Sequence, residues 1–277
     1  MRQLYQKSNG YRPLAPLGEM AKYASRQDAF RPSSRQPCKH HRKVAPPPDP
    51  QRSPSFDKAY FDIIPRTMRG KFITFEGGEG CGKSTQALRL RKELEKYGIE
   101  TLLTREPGGT ILSEKIRSLL KDESDDPPCD RSEVLLFLAA RAQLVNNVIK
   151  PALEEGKWVI SDRFRDSTLA YQGYGRGLSL DFLDQANEFA CGGLQSDLTL
   201  LLDVPPEIAQ QRMRKREAAT GTSADRIELA GDDFHKRLRQ GFAEIAKSET
   251  QRIVTIDASG DENEVWEKVW KSTKRFL

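Results

Sequence analysis

The chain has 277 residues, 37% of them hydrophobic and 31% charged, and a formal net charge of +5 that is unevenly placed. Residues 1–67 hold 10 of the 16 prolines and 13 Lys and Arg against 5 Asp and Glu, a net of +8, which leaves residues 68–277 at −3. The basic balance is therefore no argument for nucleic-acid binding by the later part; no run approaches the roughly 18 apolar residues of a membrane span; and Cys38, Cys81, Cys129 and Cys191, scattered and without a CxxC, suit a reducing cytoplasm better than a disulfide framework.

The leading segment shows no helical or strand periodicity beyond a weak patch at Tyr60–Ile64, and it contains Pro46-Pro47-Pro48. Residues 1–67 are expected to be a disordered, basic, proline-rich extension. A start at Met68 is one alternative. An organelle transit peptide is another, opposed by Glu19, Asp28, Asp49 and the prolines. Cys38 beside His40 and His41 lacks metal-ligand spacing.

A first strand is expected at about 71–76. It runs straight into Gly77-Gly78-Glu79-Gly80-Cys81-Gly82-Lys83-Ser84, followed by Thr85, and fits the phosphate-loop pattern GxxxxGK[ST]. Such glycines let backbone N–H groups converge on phosphate oxygens. Lys83 would reach the outer phosphates of a nucleoside triphosphate and the Ser84 hydroxyl would ligate Mg²⁺. The helix after the loop, with Leu88, Leu90 and Leu94 on or near one side, is expected to stop at Tyr97-Gly98. Cys81 reads as a small tolerated side chain, with a nucleophilic role as the alternative.

Strand two is expected at Ile99–Thr104, a short helix at Thr110–Lys121 and an acidic turn over Asp122–Asp130. The longest helix is expected at Ser132–Glu155, with Pro151 kinking or restarting it. Strand three follows at Trp158–Ser161, a helix at Leu178–Ala190, strand four at Leu198–Asp203 and a helix at Pro205–Glu217. A helix at Asp232–Ser248, strand five at Arg252–Asp257 and a helix at Asp261–Lys274 complete the order. Five buried strands alternating with helices make an α/β fold with a parallel sheet flanked by helices on both faces. Ligands then gather at the strand C-termini.

Those C-termini are distinctive. Strand two leads into Thr104-Arg105-Glu106-Pro107-Gly108-Gly109-Thr110. Strand three leads into Asp162-Arg163-Phe164, with Ala170-Tyr171-Gln172-Gly173 beyond it, and the long helix presents Phe137 and Arg141 four residues apart on one face. If two anions are brought together at such an edge, fixed cations are required. Arg105 and Arg163 are candidates for a phosphate clamp, or for surface pairs with Glu106 and Asp162. Asp162 would hold Mg²⁺ directly or through water, or else serve as a cap or a partner of Arg163.

Together with the phosphate loop, these motifs resemble thymidylate kinases, over about 69–277. The resemblance implies a P-loop NTPase fold, a nucleoside monophosphate kinase domain at 68–277 with a lid at about 212–228, and phosphorylation of dTMP to dTDP with MgATP. It places the acceptor monophosphate on Arg105 and Arg163, the base against Phe137 with its carbonyl oxygen on Arg141, and Thr168, Tyr171 and Gln172 on the base and sugar side. Tyr171 would disfavour a 2′-hydroxyl, and Glu79 would face the sugar 3′-hydroxyl. The loop carries Gly80-Cys81 where one type in the family has a basic residue, so the second, bacterial type is implied, with the charge supplied from the lid by Arg212, Arg214 or Arg216. The end of that lid, Asp225-Arg226-Ile227-Glu228, matches the same type, and a homodimer is implied as well. Two other readings stay open: another deoxynucleotide or deoxynucleoside kinase, and a P-loop switch whose partners read its nucleotide state. The switch reading lacks a guanine-reading NKxD segment, because strand four ends in Leu202-Asp203-Val204-Pro205-Pro206.

Overall fold

The computed structural model describes residues 69–121, 125–221 and 230–277. The expectations for residues 1–67, for most of the acidic turn's first half and for Asp225–Glu228 fall wholly or partly outside that range.

Strand β1 (Phe72–Glu76) is buried along its whole length. Its alternation splits two cores. Ile73 and Phe75 face one layer, where Leu90, Leu94, Val265 and Trp266 pack. Phe72 faces the other, with Leu144, Ile149, Leu153 and Phe164. The first layer is built by α1 (Lys83–Lys96) and the C-terminal α9 (Glu262–Thr273). Leu88 does not join it and is exposed, because two residues from Leu90 is more than half a turn around the helix.

The other strands are β2 (Thr101–Arg105), β3 (Trp158–Asp162), β4 (Leu198–Asp203) and β5 (Ile253–Asp257). All pair in parallel in the order β2-β3-β1-β4-β5. Strands two and three each run one residue further than expected, so Arg105 and Asp162 belong to the ladder and stand opposite each other. The phosphate loop leaves the central strand, and the ends of β3 and β4 flank it.

The remaining helices are α2 (Ile111–Lys121), α3 (Asp130–Leu144), α4 (Lys150–Glu154), α5 (Arg165–Thr168), α6 (Leu180–Cys191), α7 (Pro206–Thr220) and α8 (Asp232–Ser248). The single long helix expected at Ser132–Glu155 is corrected. Its middle, Val145–Ile149, is a π-helical turn between α3 and α4. Pro151 has no N–H to offer residue 147, and the wider turn just before it absorbs that lost bond. A second π stretch, Leu169–Gly175, continues α5 through a region to which the sequence reading assigned no element. Helix α6 begins two residues later than expected because Ser179 caps it, accepting from Phe182 N. Asp261 likewise sits outside α9 as its cap, in a reciprocal capping box with Glu264.

Candidate active site

The loop Gly77–Ser84 turns tightly between β1 and α1, and its glycines are enforced by neighbours as well as by ligand chemistry. Gly77 adopts φ 130° and a Cβ there would lie 2.4 Å from Leu202 O; Gly80 adopts φ 70° with Ala209 O at 2.5 Å from the same position. Lys83 is buried, and its ammonium donates to Gly77 O at 3.0 Å and Gly78 O at 2.7 Å. Cys81 points away into the core, 3.5 Å from Lys83 Nζ, which favours its reading as a small packing residue. The Ser84 hydroxyl donates to Asp162 Oδ2 at 2.5 Å, so the loop's end and the end of β3 meet side by side.

A cavity of about 670 Å³ opens over the sheet's C-terminal edge. Of the residues singled out from sequence, Glu79, Gly80, Gly82, Lys83, Ser84, Thr85, Arg105, Phe137, Arg141, Asp162, Arg163, Thr168, Tyr171, Gln172, Arg212 and Arg216 line it. Gly77, Gly78, Cys81 and Arg214 do not.

At its centre Arg163, Glu79 and Tyr171 form one cluster. The Arg163 guanidinium pairs with Glu79, donates to Gly77 O at 3.1 Å and to Ser167 Oγ at 3.2 Å, and lies 4.9 Å over the Tyr171 ring. Tyr171 OH donates to Glu79 Oε1 at 3.3 Å. Burial opposes ionisation of Glu79, but Arg163 and Lys83 overcome it and hold its carboxyl down at about 2. Burial of Arg163 is likewise outweighed by Glu79, which pushes its pKa well up. The pair is therefore charged throughout any working pH range. Arg163 also sits at φ 75°, a costly conformation for a non-glycine residue.

The surface pairs weighed for these arginines, with Glu106 and Asp162, are corrected. Arg163 uses Glu79, and Arg105 is held by Glu114, its NH2 3.0 Å from each carboxylate oxygen. Glu106 belongs to Arg141 instead. Arg141 is buried and commits all five N–H donors: Nε and NH2 to Glu106 Oε2 (2.8 and 2.6 Å), NH2 to Phe164 O (3.0 Å), and NH1 to Thr168 Oγ1 (2.7 Å) and Asn187 Oδ1 (2.5 Å). A hydrogen bond from Arg141 to a base carbonyl would have to be shared with one of these.

The lid arginines separate. Arg212 donates to Ala258 O at 2.9 Å and Gly260 O at 2.8 Å, fastening α7 to the loop after β5. Arg216, one turn on, lines the same cavity, and its charge is among those that lower Glu79. Sequence reasoning missed Arg117 and Lys121 of α2, which also line the cavity; their four-residue spacing was the available signal. It missed Glu76 too, which is fully buried behind the loop. Phe164 N and Ser167 Oγ donate to it at 2.8 and 2.6 Å, while burial and nearby Asp166 push its carboxyl up to about 8.

A parallel sheet whose central strand feeds a phosphate loop, with Arg163 after the end of β3 and Arg105 at the end of β2 beyond it, has the form of a P-loop kinase acting on an anionic acceptor. Comparison with known proteins narrows the class. A family model described as thymidylate kinase matches residues 75–269. A thymidylate kinase of Pelobacter propionicus is 46% identical over 201 residues, covering 72% of this chain and 92% of that relative. One of a Cyanothece species is 48% identical over 224 residues, covering 76% and 96%. The crystal structure of thymidylate kinase from Ehrlichia chaffeensis superposes with a TM-score of 0.59 at 36% identity, covering 74% of this chain and 98% of that one. The chain belongs to the thymidylate kinase family.

Proposed function

We propose that the cavity carries out the family's reaction, moving the γ-phosphoryl group of ATP to the phosphate of dTMP to give dTDP, a step toward dTTP for DNA. The observation that carries this is the sharing of one cavity by the triphosphate loop (Lys83, Ser84) and the acceptor-side cluster (Arg163, Glu79, Tyr171). Lys83, pre-aimed by two loop carbonyls, meets the outer phosphates of ATP, which the N–H groups of the cavity-lining loop residues Gly80, Gly82, Lys83, Ser84 and Thr85 cradle. Arg105 and Arg163, carried by the ends of adjacent strands, hold the acceptor phosphate. Their carboxylate partners keep both guanidiniums extended before substrate arrives, which lowers the entropy lost on binding.

Glu79 faces the sugar 3′-hydroxyl and Tyr171 the 2′ position, where its ring leaves a ribose hydroxyl no room. Phe137 stacks on the base, Thr168 and Gln172 line its edge, and Arg141 reaches its carbonyl by sharing a donor. The hard oxygens of Ser84 and Asp162, 2.5 Å apart, fit Mg²⁺. Among the described residues there is no cluster of three acidic, His or Cys ligands, as suits a Mg²⁺ held largely by nucleotide phosphates. When bound, the ion neutralises charge on the phosphates. Arg216 supplies the lid charge, with Arg212 as the anchor of its helix. Transfer is direct and in line, without a covalent enzyme intermediate, since positioning and electrostatics suffice.

The protein is expected to act in the cytoplasm as a homodimer. Helix α6 presents exposed Phe182 and Phe189, seven residues apart and so on one face, a surface suited to a second copy. No helix among the described residues is long and apolar enough to cross a membrane. The test is ADP release by the full-length chain with dTMP, dUMP, GMP and thymidine offered separately. Turnover on dTMP well above the others upholds the reading. Preference for thymidine makes it a nucleoside kinase, and slow turnover indifferent to acceptor makes it a nucleotide switch.

A further inference from the structure

Gln172 stands on the π stretch Leu169–Gly175, lines the cavity and is only 2% exposed. Its side-chain nitrogen donates to Glu133 Oε1 at 3.0 Å. A carboxylate accepts hydrogen bonds and has none to donate, so only the NH2 half of the amide can face Glu133, and the carbonyl half is turned the other way. Glu133 is as deeply buried as its partner, and Arg176 NH2 holds its second oxygen at 3.1 Å. Arg176 is fixed in turn, 5.2 Å over the Phe234 ring. The chain Phe234–Arg176–Glu133–Gln172 leaves the amide one orientation. No motif links these positions; they meet where Leu169 of the π stretch packs on the cluster that holds Val134 and Leu138 of α3.

We propose that Glu133, held by Arg176, is a positioning residue for base selection, which fixes the Gln172 amide so that it offers the bound base an acceptor oxygen and not a donor. This rests on the reading above that Gln172 lines the base edge. An acceptor at that point selects a pyrimidine whose pairing edge carries a ring N–H, as thymine and uracil do. It sets two lone pairs against each other when the ring nitrogen is bare, as in cytosine. Glu133→Gln would lose the selection, because the introduced amide can satisfy either orientation of Gln172 by turning over itself.

The test uses the full-length chain as wild type, Glu133→Gln, Gln172→Ala and the double variant, with folding followed by thermal melting. Each is assayed for kcat/KM on dTMP, dUMP and dCMP, and dCMP is also read as a competitive inhibitor of dTMP turnover. Glu133→Gln is expected to reduce the preference for dTMP over dCMP by about tenfold or more, mainly through KM, with dUMP following dTMP. In the Gln172→Ala background the same substitution should leave the preference unchanged. Arg176→Gln should shift it in the same direction, and carries the test if Glu133→Gln does not fold. The proposal is overturned if Glu133→Gln lowers dTMP and dCMP alike, or shifts the preference equally with and without Gln172. A Gln172→Ala variant with unaltered preference overturns the placement of Gln172 at the base as well, which separates the two failures.

Discussion

Arg163 shows how single residues in this site are set by partners distant in sequence. Its side chain is aimed by Glu79, Gly77 and Ser167, three anchors on two segments. Among the lid arginines, position decides the expected effect. Arg216→Ala should lower kcat on the order of 10³-fold, as loss of a transition-state arginine does. Arg214→Ala, outside the cavity, should leave kcat within a few-fold; steady-state ADP release on both variants checks the contrast. Glu76 gives a pH prediction. Its carboxyl is raised from 4.5 to about 8 in the fold, by burial first and Asp166 second. Between those values the folded chain keeps a proton that the unfolded chain has released, so stability falls as pH rises through that window, and the loss is complete above about 8. Glu76→Gln mimics the protonated form and should flatten this slope, raising Tm at pH 8 more than at pH 5 in thermal melts. Residues inside the motifs, such as Lys83, Asp162 and Arg163, were legible in the sequence as candidates. Glu106 and Asn187 as partners of Arg141, 35 and 46 positions away, were not, because no local pattern encodes a contact across that distance.

At the scale of elements, the strands and the phosphate loop follow directly from apolar runs and glycine spacing. Most expected boundaries differ from the observed ones by a residue or two, and at the starts of α6 and α9 the reason lies in the caps; α7 runs three residues further than expected, to Thr220. The Asp261–Glu264 capping box sets the start of α9 at Glu262, and Asp261→Ala should cost about 1 kcal/mol by chemical denaturation, with kcat little changed. Gly80→Ala should be far more damaging, because its Cβ would meet the Ala209 carbonyl of α7. The expected outcome is loss of ATP affinity measured by calorimetry, with Arg216 displaced along with its helix. Neither π stretch was legible. A one-residue shift in hydrogen-bond register leaves the apolar pattern nearly intact, yet it turns the side chains after it, and Tyr171 and Gln172 lie on one such stretch.

For the whole molecule, the exposed aromatic face of α6 bears on assembly. Phe189→Asp should convert the proposed homodimer to a monomer in sedimentation velocity while leaving the fold intact, since Phe189 is 89% exposed. The sequence by itself determined the chemistry: a phosphate loop on a buried strand, cations at two further strand ends, and motifs specific enough to indicate the family. These are local, and local spacing along one chain reports them. The tertiary structure alone decided the strand order β2-β3-β1-β4-β5, which sets Arg105 against Asp162, and the carboxylate partners of Arg105, Arg141 and Arg163. It also separated the three lid arginines, of which Arg212 and Arg216 line the cavity and Arg214 does not. Those outcomes depend on how helices pack across a sheet, an energy summed over many remote contacts that no short stretch of sequence contains.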